Sequence, residues 1–167
     1  ANAYVGVPGY FKILLDKADE AGKDVSSIKR ALVSGGALFP SLRAEYKSRG
    51  ITVLQCYATA DLGLVAYETQ GPDGVVDGMM VEEAAILEIV TPGSGDPVAP
   101  GDVGEIVVTT FNRDYPMIRL ATGDMSAYLP SPSPCGRTNV RIKGWLGRAD
   151  QTTKVKGMFV HPEQVAQ

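Results

Sequence analysis

Arg30-Ala31-Leu32-Val33-Ser34-Gly35-Gly36, then Pro40, then Ile51-Thr52-Val53-Leu54-Gln55-Cys56: this stretch decides the fold. Arg30 to Ser34 is a short apolar run stopped by two glycines, the pattern of a buried strand. Pro40 suits the first turn of a helix, because its ring presets φ and its missing N–H would find no partner there. That helix carries Leu42 and Tyr46, and Gly50 closes it. Ile51 to Cys56 is a second strand. Strand, turn, helix and strand at this spacing make a crossover unit of a parallel sheet.

Upstream, Pro8 is placed to open another helix. Phe11, Leu14, Leu15 and Ala18 follow at i, i+3, i+4 and i+7, which predicts one apolar face, and Gly22 can end the helix. Downstream of Gly71 glycines and prolines punctuate short β-rich runs: Ala85 to Val90, Gly104 to Thr110, Met117 to Leu120, Met125 to Leu129 and Val140 to Ile142. Pro92 to Pro97 reads as a turn and Pro130 to Pro134 as a loop. The expected fold is α/β plus β. Residues 1–80 form the end of a parallel-sheet α/β subdomain, 81–146 a small antiparallel β-barrel, and 147–167 an interdomain hinge with the start of a carboxyl-terminal domain, the chain stopping just after the hinge.

With 167 residues and 44% hydrophobic content, the chain can bury a core of its own. Sixteen basic residues against 19 acidic ones give a net charge of −3 without a basic stripe, so nucleic acid is not an expected partner. A free nucleotide, which needs only one or two cations, is compatible with this balance. No apolar run approaches membrane-spanning length, and a cytoplasmic location is expected. Cys56 and Cys135 are the only cysteines and His161 the only histidine, too few soft ligands for a zinc site. One disulfide and two thiols in a reducing compartment both remain open.

Three loops could carry chemistry. Ser34-Gly35-Gly36-Ala37 lies between a strand and a helix, where glycines let a flat ligand approach the backbone and a helix start favours an anion; taken alone, a plain tight turn is the better explanation. Tyr57-Ala58-Thr59-Ala60-Asp61 follows the next strand, at the strand end where open parallel sheets bind ligands. Tyr57 could stack on a purine and Asp61 could hold Mg²⁺; a core tyrosine and a capping aspartate are the plain alternatives. Finally Ile118-Arg119-Leu120-Ala121-Thr122-Gly123-Asp124 precedes Gly147-Arg148-Ala149-Asp150 and Lys154-Val155-Lys156-Gly157. A carboxylate can accept from both ribose hydroxyls, and an arginine can pair with ribose or phosphate oxygens. Singly, these could be a β-turn, a surface ion pair and a solvated strand face; their joint order argues for a nucleotide.

Together the segments resemble the adenylate-forming superfamily of acyl-CoA synthetases, and in detail its phenylacetate-CoA ligase branch. The branch-like pieces are Val107 to Phe111 running into Tyr115 to Arg119, then Pro134-Cys135-Gly136-Arg137-Thr138, and Val160-His161-Pro162-Glu163-Gln164-Val165. The resemblance implies ATP or AMP, Mg²⁺ and CoA as ligands, and a small carboxylic acid, with an aromatic one favoured, as substrate. It implies that Gly35, Gly36 and Ala37 line the adenine and acyl pocket, with Ala58 and Thr59 in the next nucleotide loop. Tyr57 would pack on adenine, Asp61 would coordinate Mg²⁺, and Asp124 and Arg148 would hold the ribose. Asp150 matches the family's hinge, and Lys156 and Gly157 the loop near the pantetheine arm of CoA.

The chain departs from the family pattern at Ala60 and Asp61, where Ser or Thr and Glu are usual. Ser133 stands where relatives often carry a second cysteine, so no metal site is expected beside Cys135. Neither the family's phosphate loop nor its catalytic lysine, expected past Gln167, is recognisable within the 167 residues. The implied activity therefore belongs to a longer parent, an AMP-forming acid–CoA ligase, while these residues alone are expected to be inactive. They would pack against the missing segments of their own chain or, through an exposed apolar face, pair as a homodimer. The alternatives are an adenylating enzyme with an acceptor other than CoA, and a non-catalytic nucleotide-binding or structural module.

Overall fold

The structure is a computed structural model that describes residues 1–151, together with the backbone of 153–155 and 158–160. Lys156, Gly157 and the segment from His161 onward lie outside the described residues. The chain divides into two compact units, Ala1–Ala58 and Thr59–Gln167.

The first unit is built from β1 (Ala3–Gly6), α1 (Pro8–Glu20), β2 (Arg30–Val33), α2 (Pro40–Ser48) and β3 (Thr52–Thr59). Its strands are parallel: Ala3 pairs with Arg30 and Gly6 with Val33, while Arg30 pairs with Thr52 and Val33 with Gln55. This is the expected crossover unit with one strand more, since β1 is too short to announce itself by periodicity. Both helices start on proline and end before a glycine at positive φ, Gly22 at 61° and Gly50 at 72°. Such a glycine lets the chain turn left-handed and return backbone N–H groups to the last carbonyls.

Phe11, Leu15, Val33, Tyr46, Ile51 and Val53 form the core of this unit, with Leu42 packed against it. Phe11 stacks on Tyr4 with ring centroids 4.2 Å apart and meets Tyr46 at 5.0 Å. The buried Tyr46 hydroxyl donates to Pro8 O at 2.5 Å, so the second helix is tied to the start of the first. The expected face of α1 needs one correction. Pro8, Phe11 and Leu15 are buried, but Leu14 is 43% exposed, beside the exposed Tyr10 and Ile13. The apolar arc of α1 is wider than the contact it makes within this unit.

The second unit runs through β4 (Gly63–Tyr67), β5 (Gln70–Gly71), β6 (Gly74–Val75), β7 (Met79–Val81), β8 (Ala85–Val90), β9 (Gly104–Thr110), β10 (Leu120–Ser126), β11 (Tyr128–Leu129) and β12 (Arg141–Ile142). A 3₁₀ turn at Ala149–Gln151 and the hairpin of β13 (Thr153–Val155) and β14 (Met158–Val160) complete it. β8 and β9 occupy the residues expected of them, Ala85 pairing with Thr110 and Val90 with Glu105. Met117–Leu120 does not form a strand as expected. Thr110 and Met117 instead close a loop through two hydrogen bonds, and Arg119 takes a positive φ of 49°, which delays β10 until Leu120.

All strand pairs within this unit are antiparallel. The expected barrel is met only in this coarser form. β8, β9 and β10 make a three-stranded sheet ordered β10-β9-β8, and β4, β7, β12 and β11 follow one another in a separate sheet, neither closing on itself among the described residues. Ile106, Val108, Met125 and Ala127 are fully buried, and Ile89 nearly so.

Candidate nucleotide site

The Asp124 region begins as an irregularity in a ladder. On one side of it Ala121 pairs with Val107; on the other Met125 pairs with Glu105. Four residues of β10 thus advance against two of β9, and the surplus forms a bulge at Thr122-Gly123-Asp124. Bulges of this kind re-aim a side chain out of the sheet. Three bonds hold it open: Thr122 Oγ1 donates to Ile106 O at 2.9 Å, Asp124 N–H donates to Thr122 Oγ1 at 3.1 Å, and Gly123 N–H donates to Glu105 Oε1 at 3.0 Å. Gly123 suits this position because its φ is +73°, a left-handed conformation that costs other residues; a Cβ there would also crowd the movable Arg148 guanidinium.

Beside the bulge, residues 143–147 run along β10 without being a named strand. Lys143 N–H donates to Ala127 O and Leu146 N–H to Met125 O, both at 2.9 Å, and Met125 N–H donates to Gly147 O at 2.8 Å. The segment ends in an isolated bridge between Arg148 and Asp124. Side chains more than twenty positions further along the chain are thereby delivered to the bulge. Trp145 Nε1–H donates to Asp124 Oδ1 at 2.9 Å, and Arg148 Nη1–H reaches Thr122 O at 3.1 Å and Asp124 Oδ1 at 3.4 Å.

Asp150, in the 3₁₀ turn, accepts from Arg148 Nε–H at 3.3 Å. Pairing with Asp150 raises the Arg148 pKa above its ordinary value; burial opposes the rise, and Asp124 adds to it to a lesser degree. Arg148 and Asp150 are 41% and 69% exposed, and an ion pair that open contributes little to stability. Asp124 is only 14% exposed. Its carboxylate is the sheltered element of the group, and the guanidinium is the adjustable one. A largely covered carboxylate flanked by a guanidinium and an indole N–H can accept hydroxyl donors while the cation meets an anion.

The other sequence-derived candidates fall as follows. Gly35 (φ +70°), Gly36 and Ala37 form an exposed turn between β2 and α2, and Ser34 N–H donates to Gly6 O at 3.1 Å, which ties the turn to β1. Tyr57 and Ala58 are not in a loop: β3 continues through Thr59, with Tyr57 only 7% exposed and Ala58 open to solvent. Thr59 Oγ1 accepts from Leu62 N–H at 3.1 Å, so its hydroxyl closes the turn that carries Asp61. Asp61 is exposed in that turn. Lys156 and Gly157 lie outside the described residues. A cleft of about 750 Å³, lined in part by Tyr128, Ser131, Arg137 and Arg141, holds none of these candidates. Cys56 and Cys135 are both free thiols.

Residues 1–112 match the model of a protein family described as AMP-binding enzyme. The chain belongs to that family. As an AMP-binding enzyme it is similar to the phenylacetate-coenzyme A ligase of Escherichia coli (strain K12), with 29% identity over 166 residues that cover 95% of this chain and 37% of that protein. The phenylacetate-coenzyme A ligase of Thermus thermophilus is 38% identical over 85 residues, 50% of this chain and 19% of the relative. Among solved structures, an open conformation of 2-hydroxyisobutyryl-CoA ligase in complex with 2-HIB-AMP and CoA superposes with a TM-score of 0.86 at 26% identity, covering 98% of this chain and 40% of that one. The chain thus spans well under half the length of these relatives.

Two participants escape the sequence argument. Trp145 carries no local motif, and its one available signal is that it is the single tryptophan of the chain, next to Gly144. Glu105 reads from sequence as an ordinary half-exposed strand residue. Only the bulge gives its carboxylate a backbone N–H to receive.

Proposed function

We propose that this AMP-binding enzyme chain is part of an AMP-forming acid–CoA ligase whose substrate is a small carboxylic acid, with an aromatic acid such as phenylacetate favoured. The reading is carried by one observation: Asp124, Arg148 and Trp145 converge on a strand bulge in a chain that aligns over 95% of its length with phenylacetate-coenzyme A ligases. In the first step a carboxylate oxygen attacks the α-phosphorus of ATP, pyrophosphate leaves, and an acyl-adenylate forms. In the second the CoA thiolate attacks the acyl carbon, AMP leaves with the bonding electrons, and a thioester results.

Asp124 accepts hydrogen bonds from the ribose hydroxyls, and Arg148 contacts the same nucleotide from the open side. Tyr57 packs on adenine, next to Ala58 and Thr59, and Gly35, Gly36 and Ala37 let the ligand approach the backbone. Asp150 is the hinge of a three-part division, with residues 1–80 as α/β portion, 81–146 as the β-barrel of the assembled enzyme, and 147–167 as hinge and start of the carboxyl-terminal domain. Lys156 and Gly157, which are outside the described residues, are assigned by the resemblance to the loop near the pantetheine arm of CoA. Catalysis is positioning together with stabilisation of phosphate charge. A cytoplasmic location is part of the proposal.

Among the described residues no group of three or more His, Cys, Asp or Glu side chains could hold a metal ion alone. Mg²⁺ takes one or two carboxylates and completes its shell with water and substrate phosphates, so the exposed Asp61 fits an ion that arrives with the nucleotide. Such an ion would offset negative charge on the phosphates. No helix among the described residues is long and apolar enough to cross a membrane.

Asp124→Ala in the full-length protein that carries these residues tests the proposal. Losing a charged acceptor for ribose raises the KM for ATP by about 10- to 100-fold in CoA-dependent thioester formation. An unchanged KM refutes the assignment of Asp124.

A further inference from the structure

The geometry points to Trp145 as a positioning residue that sets the orientation of the Asp124 carboxylate for a ribose diol. This extends the proposal above and depends on Asp124 meeting a ribose.

The backbone that carries the indole is anchored independently of the Asp124 side chain. Hydrogen bonds at Lys143, Leu146 and Gly147 fix the backbone on both sides of it, and the fully buried Ser126 donates its hydroxyl to Gly144 O at 2.7 Å. Trp145 is exposed while its neighbour Gly144 is buried. Burial does not account for its place, because the ring is 40% exposed and its N–H could be served by water. The N–H is instead directed at Asp124 Oδ1 over 2.9 Å, a well-formed bond.

Arg148 reaches the same oxygen only at 3.4 Å, from a flexible side chain that Asp150 also holds. A carboxylate turns easily about its terminal torsion, whose well is broad. Two vicinal hydroxyls need both carboxylate oxygens in one plane. The rigid donor sets that plane and the flexible one follows the ligand. Trp145 therefore acts through Asp124 and has no contact of its own with the reacting atoms.

The test is isothermal titration calorimetry on the full-length protein, with AMP and with 2′,3′-dideoxyadenosine monophosphate, which lacks the diol. The unaltered protein prefers AMP by on the order of tenfold or more, and Asp124→Ala abolishes the preference. Trp145→Phe, which keeps an aromatic ring but removes the donor, weakens AMP about fivefold and leaves the dideoxy nucleotide unchanged. In the Asp124→Ala background the same substitution has no further effect on AMP. Equal weakening of both nucleotides by Trp145→Phe, or no weakening of either, overturns the positioning role while the reading of Asp124 stands. Absence of any AMP preference in the unaltered protein overturns both. Binding of the dideoxy nucleotide also reports that the variants fold.

Discussion

At the scale of single residues, Cys135 has a role that composition alone could not suggest. Its Sγ lies 3.0 Å from Ser133 Oγ. Hydrogen bonds from the Ser133 and Thr69 hydroxyls and from the Arg137 backbone lower its pKa from an ordinary 9.0 to about 7. The thiolate is the nucleophile, so alkylation by iodoacetamide is expected to rise through a midpoint near pH 7, as read by mass spectrometry of the Cys135 peptide. Ser133→Ala removes the first of these donors and moves the midpoint upward; an unmoved midpoint refutes that cause. The sign for stability follows. The folded state favours the thiolate, so this contribution is complete above the thiol's unfolded pKa and is lost as pH falls through about 7. In the sequence Ser133 stands out only as the residue where relatives often have a second cysteine.

At the scale of elements, the bulge between β9 and β10 decides what Asp124 can do. A regular antiparallel ladder would pair Asp124 and leave Thr122, Gly123 and Asp124 alternating across the sheet. The bulge depends on a left-handed Gly123 that Arg148 closes over. Gly123→Ala imposes an unfavourable φ and is expected to cost about 1–2 kcal/mol in urea unfolding, while the flexible guanidinium moves aside. Under the proposed function the same change is also expected to shift Arg148 and weaken nucleotide binding. Wild-type stability for this variant would mean that the bulge does not need its glycine. The Thr-Gly-Asp run is legible in the sequence as a turn signal, but a turn and a bulge share their residues. Register against β9, set by the regular pairing of β8 and β9, separates the two.

At the scale of the whole molecule, the 167 residues carry the group proposed to face the ribose, but no family-type phosphate loop is recognisable in them, and the resemblance expects the lysine beyond them. These residues alone are therefore expected to form no acyl-CoA from ATP, CoA and phenylacetate in a thiol-consumption assay. Detectable turnover would show that the reactive groups lie within them. The helix starts at Pro8 and Pro40, the positive-φ glycines that follow both helices, the parallel crossover and the extents of β8 and β9 were all determined by the sequence, because proline, glycine and apolar period act within a few residues. So were the candidacies of Asp124 and Arg148, since a carboxylate and a guanidinium in that order already suit a nucleotide. Tertiary structure alone decided that β3 runs on through Tyr57, that Leu14 stays exposed, and that Trp145, Arg148 and Glu105 meet at one bulge. These outcomes depend on pairing register and on contacts between residues about 20 positions apart, and no local preference encodes either.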